Sequence, residues 1–238
     1  MSFEIFVYLT WGVWILSLIL LGVIFYSLLF MILRWRTPRR RAHATTLLVS
    51  VFAIVLSIGA HIALLTWGLA AVGRQQMAEH EAFRESRNQH ASFVRTGDPA
   101  PEFSVTDIDG QEFALADARG KVVLINFFAT WCGPCLMELP HIQKIWEEHG
   151  DDESFELLVI GREETGESVT QFRTKNGYTF PMAADPDREI YGNFAKELIP
   201  RTILVAADGT ILFSKSGFYE EDLVQLKRLL HEVLNSAE

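Results

Sequence analysis

The chain contains two cysteines, Cys132 and Cys135, in the run Trp131-Cys132-Gly133-Pro134-Cys135. Two intervening residues put the sulfurs within disulfide reach on one helical turn. The run follows an almost continuously apolar segment, Lys121 to Phe128, and opens a segment with helical periodicity, so the pair is expected where a buried strand passes into a helix. A helix start leaves backbone N–H groups unpaired and carries partial positive charge, which favours a thiolate, the attacking species, at Cys132. Pro134 suits the first turn, because the N–H it lacks is one the turn leaves unsatisfied anyway. Cys135, one turn in, is expected to be the more buried and to attack a mixed disulfide from within. A zinc site needs four ligands, and no second Cys or His pair is placed to complete one. A c-type haem anchor needs His directly after the second Cys, where Leu136 stands. A purely structural disulfide closing so short a loop would remove little chain entropy. Thiol-disulfide redox chemistry is the reading that remains, and it calls for no metal or other cofactor.

Two further positions belong with the pair. Glu138 lies three residues after Cys135 and six after Cys132, on or near the cysteine face of the helix. A carboxylate there can accept a proton from Cys135 or disfavour the thiolates by its charge; the alternative is a solvated helix residue. Pro200 opens a short apolar run, where a proline avoids the ladder hydrogen bond it cannot donate.

From about residue 98 onward, short apolar runs alternate with helical periodicity, the pattern of α/β packing. Residues 103 to 105 and 111 to 113 flank Asp109-Gly110 and read as a hairpin. Residues 121 to 128 and 155 to 160 read as buried strands, and 202 to 205 with 211 to 213 as a closing hairpin around Asp208-Gly209. Helices are expected over about 134 to 149, 168 to 176 and 220 to 234.

The first 73 residues are different. Uncharged, largely apolar stretches over about 5–33 and 44–73 each exceed the roughly 20 residues that span a bilayer core, so residues 1–73 read as a two-helix transmembrane hairpin. The loop 34–43 between them holds Arg34, Arg36, Arg39, Arg40 and Arg41, the signal for the cytoplasmic side, which puts both termini outside. The first stretch is too long, and lacks the basic leader and cleavage pattern, for a signal peptide. His61 lies inside the second span and is read as a neutral imidazole hydrogen-bonded to the other helix, since metal or haem ligation needs partners. Residues 74–96 are polar and of mixed charge and read as a tether, roughly 35 Å long if helical, leading to a domain over 97–238. Five arginines against Glu4 give the first 73 residues a net charge of +4, so a whole-chain net charge of −9 leaves −13 for the rest. So acidic a domain repels phosphate backbones, which excludes nucleic acid as a partner.

The stretch from Lys121 through Trp131-Cys132-Gly133-Pro134-Cys135 to Glu138-Leu139-Pro140 resembles the membrane-anchored thioredoxin-like thiol-disulfide oxidoreductases of bacteria, the TlpA/ResA group of the redoxin families. The likeness covers about residues 97 to 238 and includes Pro101-Glu102-Phe103 at the entry and Pro200 before the strand at Thr202. The resemblance implies an α/β thioredoxin-like fold with a central mixed sheet and flanking helices. It also implies a cis Pro200 facing the cysteines, with an ordinary edge proline as the alternative. Trp131, Gly133, Pro134, Ile199 and Pro200 are then expected to meet the substrate, Ile199 presenting its backbone to a substrate strand.

Asn126 departs from thioredoxin itself, whose matching strand position carries a buried aspartate; an amide accepts no proton, which shifts any base role to Glu138 or water. Phe128 stands where the anchored group often has Trp. The activity implied is reduction of disulfides in extracytoplasmic proteins, such as cytochrome c apoproteins or copper-site proteins. In an oxidising compartment that activity requires a transmembrane thiol electron donor. Two other functions fit the cysteine pair: a thiol peroxidase, since redoxins include them, and a copper metallochaperone holding Cu(I) between two thiolates.

Overall fold

A computed structural model of the protein describes residues 3 to 33 and 40 to 235. The chain divides into two compact units, Met1–Ala82 and Phe83–Glu238.

The first unit contains helix α1 (Phe3–Leu33) and most of α2 (Arg40–Ala91). The loop expected at 34–43 lies outside the described residues as far as 39, and its last residues already belong to α2. Among the described residues, the stretch Val51–Ala91 is long and apolar enough to cross a membrane. α1 and α2 meet where the rings of Trp14 and His61 pack edge to face, 5.2 Å apart. His61 Nδ1 is buried without a hydrogen-bond partner, so the hydrogen bond expected of this imidazole is not made at that atom.

Residues 74–91 continue α2 without a break. Their composition explains it: Ala, Gln, Glu and Arg are strong helix formers, and neither Gly nor Pro interrupts them. Pairs one turn apart, Gln75 to Glu79 at 3.0 Å and Gln89 to Glu85 at 3.1 Å, add local support. The segment 83–96 packs as part of the second unit, which therefore starts earlier than the boundary expected at 97. Ala91 and Val94 are buried in its core, and Asn88 donates to the Ser214 carbonyl at 3.1 Å. Arg84 pairs with Glu221 and Asp222 and stacks over Tyr219, and Glu85 pairs with Lys215. Most of these contacts are polar, which is why no apolar stripe marked the segment.

The second unit is a mixed five-stranded sheet with helices on its faces. Strands β1 (Ser104–Thr106) and β2 (Glu112–Ala114) form a separate antiparallel hairpin. β3 (Val122–Phe128) leads into α3 (Gly133–His149), which returns to β4 (Phe155–Arg162) parallel to β3. α4 (Gly166–Asn176) leads to β5 (Met182–Asp185), the parallel edge strand beside β4, and a one-turn α5 (Tyr191–Phe194) follows. β6 (Arg201–Val205) pairs antiparallel with β3 on its other side, β7 (Ile211–Ser216) closes that edge, and α6 (Glu220–Asn235) ends the chain. The sheet order is β5-β4-β3-β6-β7. β5 and α5 were not foreseen.

β3 is central and every residue in it is buried. Alternation along it sorts two cores. Val122, Leu124 and Phe128 join a cluster with Leu139, Val169, Phe172, Leu226 and Leu230, and Val123, Ile125 and Phe127 join one with Leu115, Tyr191 and Phe194. Covering on both faces is what the unbroken apolar run requires.

Candidate active site

The site grows from the junction of β3 and α3. Cys132 is the N-cap of α3 with extended backbone (φ −83°, ψ 105°), and its Sγ accepts a hydrogen bond from the Cys135 N–H at 3.3 Å. This is a side-chain cap in which sulfur takes the place of the usual oxygen. Pro134 lies in the first turn, as its missing N–H permits. The two sulfurs form a disulfide of 2.03 Å, with Cys132 4% exposed and Cys135 0%. Trp131, Gly133, Pro134, Leu136 and Met137 surround the pair as an exposed, largely apolar rim.

Glu138 is buried, contrary to the alternative of a solvated helix residue. α3 turns Cys135, Glu138, Leu139, Ile142 and Ile145 to the sheet, so Cys135 and Glu138 share a face one turn apart. Asn126 Nδ2 donates to Glu138 Oε2 at 2.8 Å and Thr202 Oγ1 donates to Oε1 at 2.8 Å. Asn126 and Thr202 are direct partners across β3 and β6, and Asn126 Nδ2 also reaches Thr202 Oγ1 at 2.8 Å. The carboxyl is pushed up to about 7, first by burial and also by the charge of Asp222; the hydrogen bonds from Thr202 and Asn126 pull the other way. A cavity of about 10 Å³ beside Glu138, lined in part by Thr202, Lys215, Tyr219 and Asp222, is large enough for one water. Glu138 is thus a carboxyl that exchanges its proton near neutral pH.

The loop before the cysteines has its own anchor. Glu164 Oε1 accepts from the Thr130 N–H at 2.8 Å and from Thr130 Oγ1 at 2.6 Å, while Oε2 accepts from Ser168 Oγ at 2.6 Å. Burial pushes this carboxyl up, but the Ser168 and Thr130 donors outweigh it and hold it below the usual range. Gly161 makes the approach possible: a Cβ there would lie 2.7 Å from Val169 Cγ2 and 3.0 Å from Glu164 Cβ. Glu164 carried no sequence signal, because its partner Thr130 is 34 residues away. Thr202 and the donor role of Asn126 were also missed, although both sit where strand alternation points them toward α3.

The Ile199–Pro200 peptide is cis. Pro200 is buried, and Ile199 is half-buried against the cluster that contains Cys132 and Cys135. Among the described residues, no three His, Cys, Asp or Glu side chains converge as a metal site would need.

The profile of the AhpC/TSA family matches residues 96–214. The chain is similar to the thiol-disulfide oxidoreductase ResA of Bacillus thuringiensis (strain Al Hakam), with 31% identity over 140 residues, covering 59% of this chain and 79% of that protein. Among solved structures, it resembles a candidate protein disulfide isomerase from Bacteroides thetaiotaomicron, with a TM-score of 0.59 and 36% identity over 61% of this chain and 93% of that one. It also resembles a candidate thiol:disulfide interchange protein DsbE from Chlorobium tepidum, with a TM-score of 0.52 and 26% identity over 59% of this chain and 99% of that one.

Proposed function

The chain belongs to the AhpC/TSA family and is a thioredoxin-like thiol-disulfide oxidoreductase, and from that premise we propose that it is a membrane-anchored reductase of disulfides in extracytoplasmic proteins. The observation that carries the chemistry is the Cys132–Cys135 disulfide at the start of α3 with Glu138 behind it.

In the reducing direction, the Cys132 thiolate attacks a substrate disulfide, an S–S bond forms to Cys132, and the first substrate sulfur leaves as a thiolate that takes a proton. Cys135 gives its proton to the Glu138 carboxylate and attacks Cys132 Sγ. The second substrate sulfur leaves with a proton, and the two electrons lost by the cysteine pair now reside on the substrate dithiol. Trp131, Gly133 and Pro134 form the exposed surface that meets the substrate, and the half-buried Ile199, set by the cis bond to the buried Pro200, presents its backbone to it. Proteins with a closely spaced cysteine pair, such as cytochrome c apoproteins, are the substrate class.

Direction rests on the residues around the pair. Gly133-Pro134 between the cysteines and Ile199 before Pro200 resemble reducing thioredoxins, in which the thiolate is stabilised only moderately. The expected reduction potential of the full chain lies nearer the roughly −270 mV of thioredoxin than the roughly −120 mV of DsbA. Equilibration against glutathione or dithiothreitol buffers reads it, and a value above about −180 mV reverses the direction of the reading. A thiol peroxidase is the second reading, favoured by the match to the AhpC/TSA family. It predicts rapid direct oxidation of the reduced pair by hydrogen peroxide.

Anchoring rests on the length and apolar character of α1 and of α2 up to Gly73, and orientation on the arginines between them. The basic loop is cytoplasmic and the unit from Phe83 onward lies outside, where a transmembrane thiol donor must re-reduce it. Protease added to intact spheroplasts is expected to release that unit. Full protection would place it in the cytoplasm and remove the need for such a donor.

A further inference from the structure

Arg201 follows Pro200 and opens β6, and among the described residues it is the largest fully buried side chain, at 0% exposure. Alternation sends Thr202 to the α3 face and Arg201 to the opposite one, in register with Phe127 on β3 and Ser216 on β7. Among the described residues no carboxylate forms an ion pair with it. Its Nε is buried without a partner. A buried cation without an ion-pair partner is costly, and apolar side chains of similar size are often neutral or stabilising in place of buried charges. Stability alone is therefore a weak reason for an arginine here. Its contacts suggest another.

One terminal nitrogen donates to Ser92 Oγ at 2.5 Å, just beyond α2, and the other to the Glu197 carbonyl at 3.3 Å, three residues before Pro200. The next carbonyl, that of Leu198, accepts from the Tyr191 hydroxyl at 2.8 Å. Tyr191 is itself fixed, because its N–H donates to the Asp185 carboxylate at 2.8 Å. Leu198 is held at φ 77°, a left-handed conformation that a leucine keeps only where its surroundings enforce it. Beyond the proline, the Gly217 N–H donates to the Pro200 carbonyl at 2.8 Å. The chain leaving α2 runs alongside the residues just before this segment, with Ser92 bridged to Ala195. Phe93 N–H donates to the Phe194 carbonyl at 2.9 Å, and Lys196 N–H to the Ala91 carbonyl at 2.9 Å.

We propose that Arg201 is a positioning residue for protein substrates: its guanidinium locks the 197–200 segment to the chain leaving α2, and so presets the Ile199 backbone on which a substrate strand is laid. The inference rests on the reading of Ile199 and Pro200 as the substrate-recognition peptide. A protein substrate needs that preset backbone. A small disulfide, which only has to reach Cys132, does not.

The test compares wild type, Arg201→Met and Tyr191→Phe as full chains in detergent, with insulin as the protein disulfide and oxidised glutathione, attacked by the reduced pair, as the small one. Arg201→Met is expected to raise KM for insulin on the order of tenfold, the effect of losing one or two hydrogen bonds from a charged donor. The rate constant with glutathione should stay within about twofold of wild type, the span of an ordinary minor perturbation. Tyr191→Phe, which removes only a hydroxyl, should shift KM the same way by less. Amide exchange at Leu198 and Ile199 should quicken in both variants. An unchanged KM for insulin, or an equal loss on both disulfides, overturns the proposal. If Arg201→Met does not fold, Tyr191→Phe decides alone. A wild-type chain inactive on both disulfides would instead count against the proposed function, and amide exchange would still decide whether Arg201 and Tyr191 clamp the segment.

Discussion

Cys132→Ser is expected to abolish insulin reduction, a loss on the order of a thousandfold or more, while Cys135→Ser still attacks and then stalls as a mixed disulfide with its substrate. The asymmetry comes from how α3 begins. Cys132 caps the helix with its sulfur, where the Cys135 N–H and the positive end of the helix meet developing negative charge. Cys135 is wholly buried in the apolar cluster with Leu139 and Ile142, so only a sulfur already bonded to Cys132 comes within its reach. Iodoacetamide at neutral pH should therefore modify Cys132 first in the reduced chain. Modification of Cys135 first would reverse the roles. The Cys135→Ser chain, expressed in cells, should also carry its physiological partner as a covalent adduct. This identifies the substrate directly.

Much of this site was legible in the sequence because its decisive features are local. A seven-residue buried strand, a helix start and the two residues between the cysteines all lie within one stretch, and backbone chemistry ties each to the next. What was not legible depends on which strands become neighbours. Asn126 and Thr202 are 76 residues apart, and only the antiparallel pairing of β3 with β6 sets them side by side beneath Glu138. The same pairing sends Arg201 to the other face. β5 escaped notice because Met-Ala-Ala-Asp lacks the β-branched and aromatic residues that mark strands, and its pairing with β4 decides its conformation. The end of α2 reads as part of a tether because most of its contacts are salt bridges and hydrogen bonds, which leave no periodic apolar signature. Polar side chains announce a helix through propensity, but not what the helix packs against.

Replacing Glu138 with Gln should change both the pH dependence of catalysis and that of stability, in directions that follow from its environment. Gln keeps the shape and cannot take up a proton. In the wild-type chain, the carboxyl held near 7 becomes a competent acceptor for the Cys135 proton as pH rises through neutrality, so release of the mixed disulfide should accelerate across that range. The Glu138→Gln chain should lack this rise and resolve its mixed disulfide on the order of a hundredfold more slowly at pH 8, the usual size of a lost general base. Stability runs the opposite way. A carboxyl whose folded-state value is raised stabilises the fold fully below its unfolded value of about 4.3. That contribution is lost as pH climbs to about 7, because ionisation is easier in the unfolded chain. With each pH unit worth about 1.4 kcal/mol, wild type should lose on the order of 3 kcal/mol across this window relative to Glu138→Gln. Denaturant unfolding of the oxidised chains at pH 4.5, 6 and 8 reads the difference directly. Parallel stability curves would mean that Glu138 ionises as freely in the fold as outside it. An unchanged pH profile for mixed-disulfide release would then remove Glu138 as the acceptor of the Cys135 proton and assign that role to solvent.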